Sequence, residues 1–574
     1  MPAELTAITP AVWNREKAAH LLSRAGFGGT PEDIGRLSAL SPSAAVHSLV
    51  YFDQVDNSHL PHFDHSGIHD PALEPFPESR PAATERAKKT GVSMGVRARP
   101  GGNRPLQPVT NTFFYWLRAS VLETNRVAYW WANRMLSSNA PLQEKMALFW
   151  HGHFAVNEDK VRDYRKLLIQ LQLFQNTGLG SFRDLTVAVA QDPAMLCFLD
   201  ARKNVKGAPN ENFSREIMEL FTMGVGHYTE KDVREAARAF TGWDYVDTRF
   251  VVKDDQHDDG QKTFLGQTGD FDGAQIVDII MQQPATADFI AGKLYRFFVR
   301  DDLSPKLQAQ LGDALRRNNY QIAPFLEMLF LSRDFYSDAS MGAVIHSPVT
   351  LAISTYRKLG QAVVPGVPDF NSATNALGQR LLGPPTVAGW AEGRAWITPG
   401  LLLERGNFAR DVLFPDINFL PPDRYNPSGE IRRVADNIRN GQDITKATSQ
   451  ADGIVAAEAN VAADRNEDFN TRYASFRGWQ MAIQRVKAIP RDTARLDLSA
   501  MVRENKLSTT TQTVDYFLER FMIVQPGPDA RTRLIAFLDQ DLATSDMAVA
   551  DSYMEDSLRV LAHLIMSLPE YQLS

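Results

Sequence analysis

Two clusters in this chain carry side chains that could move protons or hold ions. Residues 209–224, PNENFSREIMELFTMG, crowd Glu211, Asn212, Arg215, Glu216 and Glu219 into nine positions. The pentapeptide WHGHF at 150–154 sets two histidines in an otherwise apolar run. On one helix Asn212, Glu216 and Glu219 share a face, and Arg215 stands four residues from both Glu211 and Glu219. Phe213, Ile217, Met218, Leu220 and Phe221 surround that face with apolar side chains. Carboxylates in such surroundings need Arg215, another cation or a metal. On a solvated face they would form a ladder worth only about 0.2–0.5 kcal/mol per pair.

The histidines set a geometric condition. Two residues apart on a helix, His151 and His153 point about 200° from each other and cannot share one ion. In extended chain, or at a helix end loosened by Gly152, they can chelate. A metal set of His151, His153, Glu216 and Glu219 is therefore one expectation, with a divalent ion as the cofactor. The same four residues with His257 and Asp258 would make a general acid–base group, or activate a metal-bound water. The bland alternative is one packed histidine, one surface histidine and a solvated turn at His257-Asp258-Asp259. Arg215 and Lys262 would orient an anionic substrate. So would Arg24, followed by Gly26-Phe27-Gly28-Gly29 and a helix start near residue 31, because helix N-termini attract anions. The spacing is not that of a phosphate-binding P-loop. His59, His62, His65 and His69, with Asp64 and Asp70, have ligand-like spacing suited to adventitious divalent metal. No G-x-S-x-G, H-E-x-x-H or G-x-G-x-x-G signature occurs, which argues against common hydrolases, zincins and dinucleotide enzymes.

The elements that must position these residues read as helices. Asn14 caps a helix over 14–25, and Thr30-Pro31-Glu32-Asp33 restarts one. Helical patterns run over 111–200, 273–300, 305–335 and 347–360, with three more helices in 511–574. Residues 381–400 are too rich in Gly and Pro for a helix. Phe250-Val251-Val252 and Thr263-Phe264-Leu265 flank an acidic turn and suggest a hairpin. The expected fold is mainly α, a large multi-helix globular scaffold with a small β-hairpin insertion near 248–266. Its expected regions are N-terminal helices at 1–52, a long surface loop at 53–110, a central helical core at 111–425 and a C-terminal helical region at 426–574. Within the last, 426–510 reads as a charged peripheral layer.

The chain has 574 residues, 44% of them hydrophobic, enough for a large core. A net charge of −7 gives no electrostatic reason to expect nucleic-acid binding. A single cysteine, Cys197, excludes an intrachain disulfide and a four-cysteine zinc site, and its apolar neighbours suggest a buried thiol. No secretory signal and no membrane-length apolar run is visible, so the expected compartment is the cytoplasm, with co-export on a partner as the other route.

The succession HLLSRAGFG at 20–28, FWHGHF at 149–154, NENFSREIMELFTMG at 210–224, YTEKDVREAARAFTGW at 228–243, HDDGQKTFLG at 257–266 and GPPTVAGWAEGRAWI at 383–397 resembles a bacterial family. That family is catalogued as domain of unknown function 1800. Members are often encoded beside a second family related to sulfatases and alkaline phosphatases, frequently bearing a twin-arginine export signal. The resemblance thus implies a protein partner and co-export. Three functions stand open from sequence. One is a metal-assisted hydrolase or transferase acting with that partner on a carbohydrate or anionic substrate. The second is a non-catalytic helical partner or chaperone. The third is a non-covalent haem or redox protein.

Overall fold

The longest element, Gln107–Ser137, starts at a proline in its first turn and runs for 31 residues. Its aromatic load is core: Phe113, Phe114, Tyr115, Trp116 and Trp131 are all buried. The Thr471–Arg485 helix packs along it. Gly478 permits that approach, because a Cβ there would lie 2.5 Å from the Phe114 carbonyl carbon. The computed structural model describes residues 3–69, 106–415 and 470–574, with short pieces at 85–86, 88–90, 435–436 and 439–440. Most of the expected 53–110 loop beyond residue 69, and of the charged stretch from 426 to 469, lies outside the described residues.

The architecture is mainly helical. The expected caps form: the Asn14 side chain accepts from Lys17 N at 3.0 Å, and Thr30 and Asp33 make a reciprocal capping box. That box takes the Thr30 and Asp33 amides at the start of the Pro31–Ser38 helix. Prolines divide longer helical patterns, giving Gly273–Met281 and Pro284–Phe298 where one run was expected. Residues 53–69 form a strap along the Gln107–Ser137 helix, burying Phe63 and Ile68. Trp130 Nε1 donates to Pro61 O at 2.8 Å and Ser66 N to Glu123 at 2.7 Å. Cys197 is partly buried.

The β insertion is two antiparallel hairpins. Strand β1 (Trp243–Val246) pairs with β2 (Arg249–Val252), and β3 (Lys262–Phe264) pairs with β4 (Gln267–Gly269). The two runs expected to form one hairpin therefore belong to different hairpins. Each strand is four residues or fewer and turns directly back on its neighbour. No described helix is long and apolar enough to cross a membrane.

Several carboxylates are enclosed in the helical core. Glu144 accepts from Arg134 at 2.8 Å, Trp131 Nε1 at 3.0 Å and Gln175 at 2.7 Å. Glu158 differs, since both of its buried oxygens lack a hydrogen-bond partner among the described residues. Burial pushes its carboxyl up from 4.5 to about 7, against the nearby Arg380. Asp192 is likewise raised by burial, to about 7. Both groups bind a proton more tightly in the folded chain than in the unfolded one. Their contribution to stability is complete below the unfolded pKa and is lost as pH rises through about 7. Glu158→Gln removes its share of that loss. The variant's stability relative to the parent should therefore rise, by on the order of 3 kcal/mol, between about pH 4.5 and pH 8. Urea midpoints of both proteins across that range check the slope; parallel profiles would refute it.

Candidate functional site

The Pro141–His153 helix carries Lys145, Phe149 and His153 at four-residue spacing, so the three side chains share one face. The Pro284–Phe298 helix does the same with Phe289, Lys293, Arg296 and Phe297. Both faces border a cavity of about 440 Å³, within the size range of small-molecule sites. Trp390, Glu392 and Trp396 from the Gly-rich segment form another wall, Arg24 enters from the Arg15–Ala25 helix, and His346 and Thr350 flank the start of the Pro348–Lys358 helix.

A close backbone approach joins two of these walls. Gly389, at φ +90°, lies so near Gly152 that a Cβ would come 2.4 Å from the Gly152 carbonyl oxygen. Trp390 lies over Gly152, where a Cβ would find ordinary contact at 3.5 Å. Arg405 fastens the far side by donating to Trp396 O at 3.1 Å, His346 O at 2.8 Å and Gln572 Oε1 at 2.9 Å.

The helix stays regular through Gly152 and ends at the Phe154 cap, so the two histidines diverge as helical geometry requires. His151 Nε2 accepts the Leu382 amide at 3.0 Å, and the ring lies edge-on to Trp131 and Trp390. That bond makes Nδ1 the protonated nitrogen of neutral His151, and burial lowers its pKa to about 3. His153 takes the other tautomer. Its Nε2 donates to Phe221 O at 2.9 Å, leaving Nδ1 to accept from Lys293 Nζ at 3.2 Å. Burial and the Lys293 charge hold its pKa well below the usual value.

The polar stripe meets WHGHF through that carbonyl. Residues Ile217–Thr222 form a wide π turn, with Met223 N bonding Met218 O at 2.9 Å. Gly224, at φ +79°, ends the helix and leaves Phe221 O to His153. Arg215 pairs with Glu211 at 3.1 Å and with Glu230 at 2.7 Å, while Glu219 accepts from Tyr228 at 2.6 Å. Glu216 is raised by burial and by Glu219. None of these side chains lines the cavity. Among the described residues no group of three or more His, Cys, Asp or Glu is arranged to hold a metal. The set His151, His153, Glu216 and Glu219 does not converge, because the Leu382 amide and the Phe221 carbonyl already occupy the Nε2 atoms of the two histidines.

The remaining candidates brace the hairpins. His257 Nδ1 donates to Thr241 O at 2.8 Å. Asp258 accepts Arg238 through both oxygens, and that ion pair holds its carboxyl down at about 2. Lys262 donates to Asp270 at 2.9 Å. The loop histidines serve separate partners: His59 bonds Ser137 O, His65 the Tyr164 hydroxyl and His69 the Arg165 guanidinium.

Of the residues singled out from sequence, Arg24 and His153 line the cavity. Lys145, Lys293, Arg296, His346 and Trp390 were missed. Arg24 donates to the carbonyls of Phe297 and Phe298, and burial draws its pKa down to about 9, still charged at neutral pH. Lys145 has no hydrogen bond or ion pair among the described residues and lies over the rings of Phe27 and Phe297. Burial, reinforced by Arg24, pulls its pKa well below the ordinary lysine value. Asp301 and Glu392 also line the cavity, and burial raises the Glu392 carboxyl.

A family model described as "Protein of unknown function (DUF1800)" matches residues 20–573. The chain belongs to the DUF1800 family. No curated protein and no solved structure matches it. Three motifs of this DUF1800 protein that lie far apart in sequence, HLLSRAGFG, FWHGHF and GPPTVAGWAEGRAWI, each send residues to the one cavity.

The two motif glycines should respond oppositely to substitution. Gly389→Ala puts a methyl against the Gly152 carbonyl at an unfavourable φ and should cost about 3 kcal/mol or more. Gly152→Ala sits inside a helix with room for its methyl and should be neutral or stabilising by about 0.5–1 kcal/mol. Chemical-denaturation midpoints of the two variants check the contrast, and equal losses would contradict it.

Proposed function

We propose that this DUF1800 protein binds a small organic anion in the cavity and performs acid–base chemistry on it. The observation that carries this reading is the concentration of Arg24, Lys145, Lys293 and Arg296 with His153 and His346 around one aromatic-walled space whose lining holds two acids, Asp301 and Glu392. An anion entering there gains charge-assisted hydrogen bonds in surroundings of low dielectric. A divalent cation would meet Arg24, Lys293 and Arg296, which disfavours the metal-centred version of the chemistry there. Trp390 and Trp396 add flat apolar faces suited to a sugar ring or a short carbon chain. A sulfated, phosphorylated or carboxylated carbohydrate, the class implied by the sulfatase- and phosphatase-like neighbour family, meets these requirements.

In this reading Arg24 and Lys293 hold the charge of the ligand. The fixed tautomer of His153 points its Nδ1 lone pair at Lys293 Nζ, so the two form a proton-sharing pair at the cavity wall. Neutral His153 accepts a proton there and Lys293 supplies one, the division of labour that general acid–base catalysis needs.

Phosphate, sulfate and citrate, titrated at constant ionic strength, should each raise the melting temperature with saturation. The gain corresponds to about 2.7 kcal/mol at a hundred times the dissociation constant. Chloride at equal ionic strength should not reproduce it, and Lys293→Met should reduce it while the fold, read by circular dichroism, persists. An identical response to chloride, or in the variant, would remove the support for anion binding.

A further inference from the structure

Lys145 is the anomaly of the cavity. Its side chain is 4% exposed, borders the cavity, and lies over the faces of Phe27 and Phe297. Among the described residues no carboxylate or carbonyl accepts from it. The adjacent Glu144 faces elsewhere, with its oxygens taken by Arg134, Trp131 and Gln175. A lysine kept only for charge would be expected to pair with an acid when buried. A lysine buried against aromatic rings, beside another cation, instead meets the conditions for an amine nucleophile toward carbonyl compounds.

We infer that Lys145 is a Schiff-base nucleophile and that the ligand of the cavity is an anionic carbonyl compound, a 2-oxo acid or a keto or aldehydo sugar acid. The inference rests on the anion-binding reading above, which supplies the site for the acid group. Arg24 and Lys293 hold the carboxylate while the Lys145 nitrogen lone pair attacks the carbonyl carbon. The new C–N bond forms as the C=O π bond breaks, and a proton moves from nitrogen to the oxygen to give a carbinolamine. That oxygen then leaves as water with the second amine hydrogen, and the C=N bond closes. No oxidant or reductant is required. The weakened basicity of Lys145 keeps a larger share of it as the reactive amine at neutral pH.

Trapping the parent protein tests this directly. Pyruvate and cyanoborohydride are added near pH 7, and peptide mass spectrometry locates the reduced carboxyethyl group. Lys145 should be modified about tenfold or more faster than exposed lysines, since each unit of pKa depression multiplies the amine fraction by about ten. Its rate should level off at a lower pH than the rates of exposed lysines. Excess phosphate should slow modification at Lys145 alone. Adducts spread over exposed lysines with Lys145 untouched, while phosphate and pyruvate still raise the melting temperature, would overturn the Schiff base and leave anion binding standing. No adduct at Lys145 and no stabilisation by either anion would overturn both.

Discussion

The site depends on a backbone contact. Gly389 presses against the Gly152 carbonyl and brings Trp390 over the end of the Pro141–His153 helix. A β-carbon at residue 389 would separate the two segments, because backbone cannot yield as a flexible side chain can. The contact fixes the positions of Trp390, Glu392 and Trp396 relative to Lys145 and His153. His151 secures the same junction from the buried side through the Leu382 amide, and Leu382 itself adopts φ +58°, a conformation that needs such support. One histidine of the pair thus builds the joint, and the other faces the cavity.

Charge then gives the cavity its character. Positive side chains arrive from separate helices, and the described structure supplies few carboxylates to neutralise them. Arg24 is stabilised by backbone carbonyls, which solvate a guanidinium without cancelling its charge. Lys293 leans on the His153 lone pair. Glu392 stands opposite in sign: its carboxyl is raised by the protein around it, and Lys293 opposes that shift. An incoming anion would relieve mutual repulsion among the cations, so binding and local stability are coupled.

Much of the fold was legible because helix signals are local. Asn14 and Thr30 capped where their types and neighbours indicated, and the 3.6-residue periodicity located most helices. The hairpins were half legible. Phe250-Val251-Val252 and Thr263-Phe264 are strand residues, with Leu265 in the turn that follows, but pairing is non-local and each run paired with its nearer neighbour. The site was less legible. The dense stripe around Glu216 drew notice through its composition, yet Arg215 is satisfied by Glu230, a partner beyond its own helix. The informative signal was sparser. Lys145, Phe149 and His153 repeat at i, i+4 and i+8, and Phe289, Lys293 and Phe297 repeat likewise. A cation within an apolar stripe, on each of two helices, marks a face that is enclosed and yet charged. That the two stripes face each other is a tertiary fact that no spacing contains.

The burial of Lys145 without an acid partner among the described residues ties energetics to function. Burying an unpaired ammonium is costly, and a methionine or leucine of similar length would pack against Phe27 and Phe297 without that cost. A neutral amine avoids most of it, so the fold shifts the proton equilibrium instead of supplying a counter-ion. The aromatic faces accept either form, since a ring binds a cation weakly and contacts an amine as ordinary apolar surface. Stability alone would favour replacing this residue. Its place on the wall shared with His153 makes sense when the nitrogen itself is the useful atom, and the orphaned lysine is then the cost of keeping a nucleophile ready in a cavity rich in positive charge.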